Sequence, residues 1–150
     1  MKFENYMTLE FPSRSANEAF ARSAVACFAA QLDPTMEEIG DIRTAVSEAV
    51  TNAIVHAYPE GLGTVTVRCR ILKGNTLDIV VKDRGIGIAD VEQARKPMFT
   101  TGGMDRSGMG FTIMESFMDR LVVKSVVGKG TTVTMAKRIK KNVKVSVHRE

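Results

Sequence analysis

The stretch "SEAVTNAIVHAY", residues 47–58, decides how the rest of the chain is read. At 100° per residue, Val46, Val50 and Ala53 gather on one side of a helix, while Glu48 and Asn52 stand one turn apart on the other. A carboxylate and a carboxamide stacked in this way can share a ligand. Asparagine offers a neutral oxygen to a hard cation such as magnesium, which keeps most of its waters. Glutamate can hold and deprotonate a hydroxyl. Taken alone, the pair is equally a solvated helix face, and His56 reads as a residue that packs at the helix end.

The stretch belongs to a longer helix. Asp33-Pro34-Thr35 is a start signal, and Thr35 and Glu38 have capping-box spacing. Apolar residues at Met36, Ile39, Ile42, Val46, Ala49, Val50, Ala53 and Ile54 carry the helix from about 36 to 57, and "PEGLG" (59–63) ends it. Upstream, "YMTLEF" (6–11) reads as a strand and "SANEAFARSAVACFAAQL" (15–32) as a helix. That helix has a second box spacing at Ser15 and Glu18, and an apolar stripe traced by Ala16, Phe20, Ala24, Cys27 and Gln31. Downstream, "TVTVRCRIL" and "TLDIVVKD" alternate around Lys73-Gly74-Asn75, the pattern of a hairpin. A glycine-rich stretch (84–107) leads to "GMGFTIMESFMD" (108–119), a helix, and then to a second hairpin around Gly128-Lys129-Gly130. The order is strand–helix–helix–strand–strand–helix–strand–strand. Strands that arrive in hairpins predict a mixed, mostly antiparallel sheet with the helices on one face, a two-layer α/β sandwich.

The totals set limits. The 150 residues suit one domain, and 44% hydrophobic content permits a real core. The apolar runs are too short to cross a bilayer, and the N-terminus has no apolar signal core, so a cytoplasmic protein is expected. Cys27 and Cys69 lack metal or disulfide spacing and read as plain core thiols. The net charge of +4 is uneven: residues 136–150 carry +5, which leaves −1 for the other 135. We therefore expect one domain over 1–138 and a basic tail over 139–150. With no aromatic residue among its cations, the tail reads as a solvated extension, and direct nucleic-acid binding is not expected.

Two further segments carry chemistry. In "DIVVKDRGIGI" (78–88), Asp83 closes a strand, where it can accept a hydrogen bond from an amino group such as that of adenine. Gly85 and Gly87 would let backbone approach a flat ring. In "KPMFTTGGMDRSGMGF" (96–111), Thr100, Thr101, Gly102, Gly103 and Ser107 form a polar segment that ends at a helix N-terminus. Backbone N–H groups there make an anion nest, and Arg106 could neutralise a terminal phosphate. Gly108 and Gly110 precede the helix, but no Gly-Lys-Ser/Thr follows, so this is not a P-loop. Alone, each segment is also an ordinary turn or loop.

In their fixed order the three motifs become specific. Glu48 with Asn52, then Asp83, Gly85 and Gly87, then Gly108 and Gly110 beside a lid: the set resembles the Bergerat ATP-binding fold of gyrase-type ATPases, a heat-shock chaperone, histidine kinases and MutL. The resemblance runs over roughly 36–135 and includes "GKGTTVTM" (128–135). It implies ATP or ADP and Mg²⁺ as ligands. It matches Asp83 to the adenine contact, Asn52 to the magnesium ligand and Glu48 to the residue that activates the attacking hydroxyl. Thr131 is matched to the threonine near adenine, with Thr132 a weaker choice. The lid end and helix start supply Thr100, Thr101, Arg106, Ser107, Gly108, Met109, Gly110 and Phe111 around the phosphates.

Within that family the chain is similar to bacterial anti-sigma factors that are also serine-protein kinases, the sporulation type above all. "SEAVTNAIVHAYP" and "RSGMGFTIMESFMD" carry this likeness, which extends over 1–138; the basic tail departs from it. The likeness implies a homodimer that binds an RNA polymerase sigma factor and phosphorylates a serine of an anti-anti-sigma protein, with Arg22 as a partner contact and no membrane. The stress-response type and a histidine-kinase-like ATPase module are the alternatives. The chain's two histidines are His56 and His148, and neither lies in a helix pair suited to a phosphoacceptor.

Overall fold

A computed structural model describes residues 3–96 and 109–140. The elements are strand β1 (Phe3–Pro12), helix α1 (Ala16–Ala29), helix α2 (Met36–His56), strands β2 (Thr64–Leu72) and β3 (Thr76–Asp83), helices α3 (Val91–Arg95) and α4 (Gly110–Phe117), and strands β4 (Arg120–Val126) and β5 (Gly130–Arg138). The strands form one sheet in the order β1-β2-β3-β5-β4, and all four pairings are antiparallel. The sheet is thus antiparallel throughout, where the sequence also allowed a mixed one.

Alternation sends Val65, Val67, Cys69, Ile71, Leu77, Ile79, Val81, Val133 and Met135 to one face, where they are buried together with the helix residues Val25, Ile42, Val46, Val50 and Met114. The opposite face carries Arg68 and Lys82, both exposed. This is the expected two-layer sandwich. Among the described residues no helix is long and apolar enough to cross a membrane.

Helix α2 begins as its sequence requires. Thr35 Oγ1 accepts the N–H of Glu38 (3.0 Å), and Glu38 Oε1 accepts the N–H of Thr35 (2.9 Å), closing the capping box. Its buried stripe is Ile42, Ala45, Val46, Ala49, Val50 and Ala53. Met36 is not part of it: as the first residue of the helix it precedes the packed turns and is 86% exposed.

Helix α1 departs further from expectation. Ser15 has helical dihedrals and makes no cap. Glu18 turns instead to α2, where it accepts the Ser47 hydroxyl (2.6 Å), and it pairs with Arg22 at 3.5 Å. The buried residues are Ala21, Val25, Ala26 and Ala29, while Phe20 is 54% exposed and Cys27 and Gln31 also face outward. The helix is rich in alanine on every side, so its phase is set by close packing of small residues on α2 and not by its largest side chain. Cys69 is a core thiol as expected; Cys27 is exposed.

The glycine-rich stretch also contains α3, which the sequence reading did not expect. Asp90 caps it by accepting the N–H of Gln93 at 3.0 Å. Five residues are too few for a 3.6-residue period to register. The first hairpin turn places Gly74 and Asn75 at positive φ (81° and 61°), as the Gly-Asn pair suggests.

Candidate functional site

Asp83 ends β3 and is buried. Its Oδ1 accepts two backbone N–H groups, from Gly85 at 2.9 Å and from Thr131 on β5 at 3.2 Å. Among the described residues nothing hydrogen-bonds the other carboxyl oxygen. Burial holds the carboxyl above its ordinary pKa, and the two N–H groups oppose that shift without cancelling it.

The glycines after Asp83 also serve backbone contacts that the sequence did not suggest. A β-carbon on Gly85 would lie 2.0 Å from the Ala57 carbonyl oxygen, and the next residue, Ile86, donates its N–H to that oxygen (2.9 Å). Gly87, at φ 79°, would put a β-carbon 2.4 Å from Val126 O. Both allow backbone to touch backbone, locking the loop between the end of α2 and the β4–β5 turn. Gly87 in addition lines a cavity; Gly85 does not.

That cavity, about 190 Å³, lies between α2, β3 and β5. It is smaller than the roughly 300–1,000 Å³ of drug-sized sites, so it fits one flat ring better than a whole nucleotide. Ala49 and Ala53 on α2 and Ala57 at its C-cap, four residues apart, make one wall, with Val81 and Val133 also lining the cavity. Asp83 and Thr131 supply polar groups, and Asn52 and Phe111 lead out toward α4. The alanine spacing was visible in the sequence as the neighbour of the Glu48–Asn52 stripe, but it gave no signal of its own. His56 also borders the cavity.

Helix α4 has no side-chain cap at Met109, which is exposed. Among the described residues no side chain caps its first N–H groups, and a helix N-terminus of this kind suits an anion. Gly110 is buried there, and a β-carbon on it would stand 3.3 Å from both Glu48 Oε1 and Asn52 Nδ2 and 3.5 Å from Asn52 Oδ1. The α2 pair thus meets the start of α4. The set of hard oxygen donors beside a helix N-terminus suits magnesium held mainly by water and phosphate.

Thr131 lies on the helix side of β5, with its hydroxyl 2.8 Å from Ser125 Oγ. Thr132 points to the other face, between Lys82 and Lys124 in the pairing register. Arg22 sits apart from the cavity, in a hollow shared with Arg43, Ser47 and Glu48. Thr100, Thr101, Gly102, Gly103, Arg106, Ser107 and Gly108 lie outside the described residues.

A model of the histidine kinase-like ATPase domain matches residues 11–137. Two proteins named anti-sigma F factor are similar over nearly their whole length. That of Caldanaerobacter subterraneus subsp. tengcongensis is 57% identical over 143 residues, 95% of this chain and 99% of the relative. That of Geobacillus kaustophilus is 54% identical over 142 residues, 92% of this chain and 95% of the relative. The chain belongs to the histidine kinase-like ATPase domains, in the branch of the anti-sigma F factors. The fold of this family recurs in the solved RsbU and RsbW domains of a Mycobacterium tuberculosis protein, with a TM-score of 0.69 and 18% identity, over 93% of this chain and 34% of that one. The family match takes in every site residue from Arg22 to Thr131 and ends before the basic tail.

Proposed function

We propose that the cavity takes the adenine of ATP, with Mg²⁺ at its outer end, and that the chain is an anti-sigma factor and serine-protein kinase. In this reading it holds a sporulation sigma factor, sigma F, inactive. It also transfers the γ-phosphoryl group of ATP to a serine of its anti-anti-sigma partner, and it works as a cytoplasmic homodimer. The observation that carries the chemistry is the convergence of Glu48 and Asn52 on Gly110 at the N-terminus of α4. The names of the relatives favour sigma F over the stress-response sigma factor.

Phosphoryl transfer needs positioning and charge neutralisation more than covalent help from the protein. Asp83 and Thr131 hold the base at one end. The N-terminus of α4 faces the phosphates at the other, with Asn52 as the magnesium ligand. Glu48 orients the partner's serine hydroxyl and takes its proton at Oε1 as the serine oxygen bonds to the γ-phosphorus and ADP leaves.

The test is transfer from labelled ATP to a candidate anti-anti-sigma protein, comparing wild type with Glu48→Ala. We expect acid-stable label on a partner serine, reduced about 10²–10⁴-fold in the variant, with ADP binding kept. Full transfer by Glu48→Ala would refute its role. Acid-labile label would indicate phosphohistidine and the histidine-kinase-like alternative.

A further inference from the structure

Ser125 does not line the cavity, yet it holds two residues that do. It sits directly opposite Thr131 in the β4–β5 ladder. Its Oγ accepts the N–H of Ile88, a cavity residue, at 2.7 Å, lies 2.8 Å from Thr131 Oγ1, and is 3.1 Å from the carbonyl oxygen of Gly130.

A proton count orders these contacts. A serine hydroxyl has one hydrogen and two lone pairs. The Ile88 N–H can only donate, so it occupies one lone pair. The Gly130 carbonyl can only accept, so it takes the serine hydrogen. The third contact is then satisfied only if Thr131 donates its own hydrogen to the remaining lone pair of Ser125. In the reverse arrangement, with Ser125 donating to Thr131, the serine and the Gly130 carbonyl would face each other without a proton between them. In the first arrangement all three contacts are hydrogen bonds, and the Thr131 oxygen keeps only lone pairs for any ligand in the cavity that Thr131 lines. Asp83, bonded through Oδ1 to the Thr131 N–H, lines the same cavity and its carboxylate is also an acceptor.

We propose that Ser125 is a positioning residue that fixes the Thr131 hydroxyl as an acceptor, so that the site prefers purines bearing an exocyclic amino group over those bearing a carbonyl there. The inference rests on the reading of this cavity as the base pocket. An amino group brings two hydrogens to two acceptors. A carbonyl oxygen at the same place meets both acceptors with no hydrogen, and a freely rotating Thr131 would relieve half of that conflict by donating.

The experiment is calorimetric titration of the full chain, with magnesium, by ADP and by IDP, which carries a carbonyl in place of the amino group. Wild type is expected to prefer ADP. Ser125→Ala should shrink the ADP-to-IDP affinity ratio about fivefold, mainly by improving IDP. Ser125→Thr, which keeps the hydroxyl, should retain the ratio. In a Thr131→Val background, Ser125→Ala should leave the ratio unchanged, since its effect runs through that hydroxyl. Equal weakening of both nucleotides by Ser125→Ala, or a ratio that still shifts in the Thr131→Val background, would overturn the proposal. If Ser125→Ala does not fold, Thr131→Val carries the test: it must shrink the ratio, and an unchanged ratio overturns the proposal. A wild type that binds neither nucleotide would refute the base-pocket reading itself, and this inference with it.

Discussion

The carboxamide nitrogen of Asn52, on α2, stands 3.3 Å from where a β-carbon on Gly110 would sit in the first turn of α4. Glu48 Oε1 lies at the same distance. Alanine at position 110 must therefore push both side chains by a few tenths of an ångström. Alanine is also the better helix former, though at the first residue of α4 by less than the roughly 1 kcal/mol of a helix interior. Gly110→Ala should keep or raise the melting temperature while phosphoryl transfer falls at least about tenfold, because misplaced catalytic groups are costly. Thermal melts beside the transfer assay check this. Full activity in the variant would mean that the α2 pair does not work against this helix end.

Two other glycines should respond in opposite directions. A β-carbon on Gly85 would overlap the Ala57 carbonyl oxygen, at 2.0 Å, where the backbone cannot yield cheaply. Gly40, inside α2, has nothing within 4 Å of its β-carbon position. Gly85→Ala should cost about 3 kcal/mol, and Gly40→Ala should gain about 0.5–1 kcal/mol by removing backbone freedom from the unfolded chain. Denaturant midpoints at unchanged slope measure both. A neutral Gly85→Ala would show that the loop after β3 is not locked onto α2.

The elements that the sequence made legible are those with strong period or turn chemistry. Helix α2 has 21 residues, a stripe at spacings of three and four, and a complete capping box. Both hairpins carry glycines at positive φ in their turns. The phase of α1 was not legible, because Phe20 suggested a buried face that the small residues Ala21, Val25 and Ala29 in fact provide. Of the site, the polar residues were legible as motifs. The alanine wall was not, since alanine at every fourth position is also ordinary helix composition. Ser125 was not legible either: its role depends on the cross-strand register with Thr131 and on Ile88, 37 residues away.

The two thiols should differ in reactivity. Cys27 is exposed on α1, whereas Cys69 is buried in β2. Burial, and secondarily the charge of Asp78, pushes the Cys69 thiol up to about 12, so the reactive thiolate is scarce there. Native protein treated with a maleimide at neutral pH should take one label, at Cys27, and a second only after denaturation. Peptide mapping gives the positions. Rapid labelling of Cys69 in the native state would show that the sheet opens at β2.

Glu38 links acid stability to the capping box. Burial acts to raise its pKa, but the N–H groups of Lys140 and Thr35, the Thr35 hydroxyl and the charge of Lys137 together hold it below the ordinary 4.5. A carboxyl whose folded pKa is depressed contributes stability above its unfolded pKa and loses it as pH falls through the folded value. Glutamine can still accept the Thr35 N–H, so Glu38→Gln keeps the cap while removing the charge together with the Oε2 acceptor of the Lys140 N–H. Because the site is only partly buried, the charge should be worth no more than about 1 kcal/mol at pH 7. Unfolding free energies of wild type and variant should differ by that amount at neutral pH and converge as the pH drops below about 4.5. The Lys140 N–H is bonded to Glu38 Oε2 at 3.0 Å, so the charge also tethers the chain just after β5 to the start of α2. Protection of the Lys140 amide against exchange, taken relative to the intrinsic rate at each pH, should therefore fall in acid in the wild type and be absent at every pH in Glu38→Ala, which removes the acceptor. A gap between wild type and Glu38→Gln that does not depend on pH would assign the contribution to the uncharged contacts of the side chain and not to its charge.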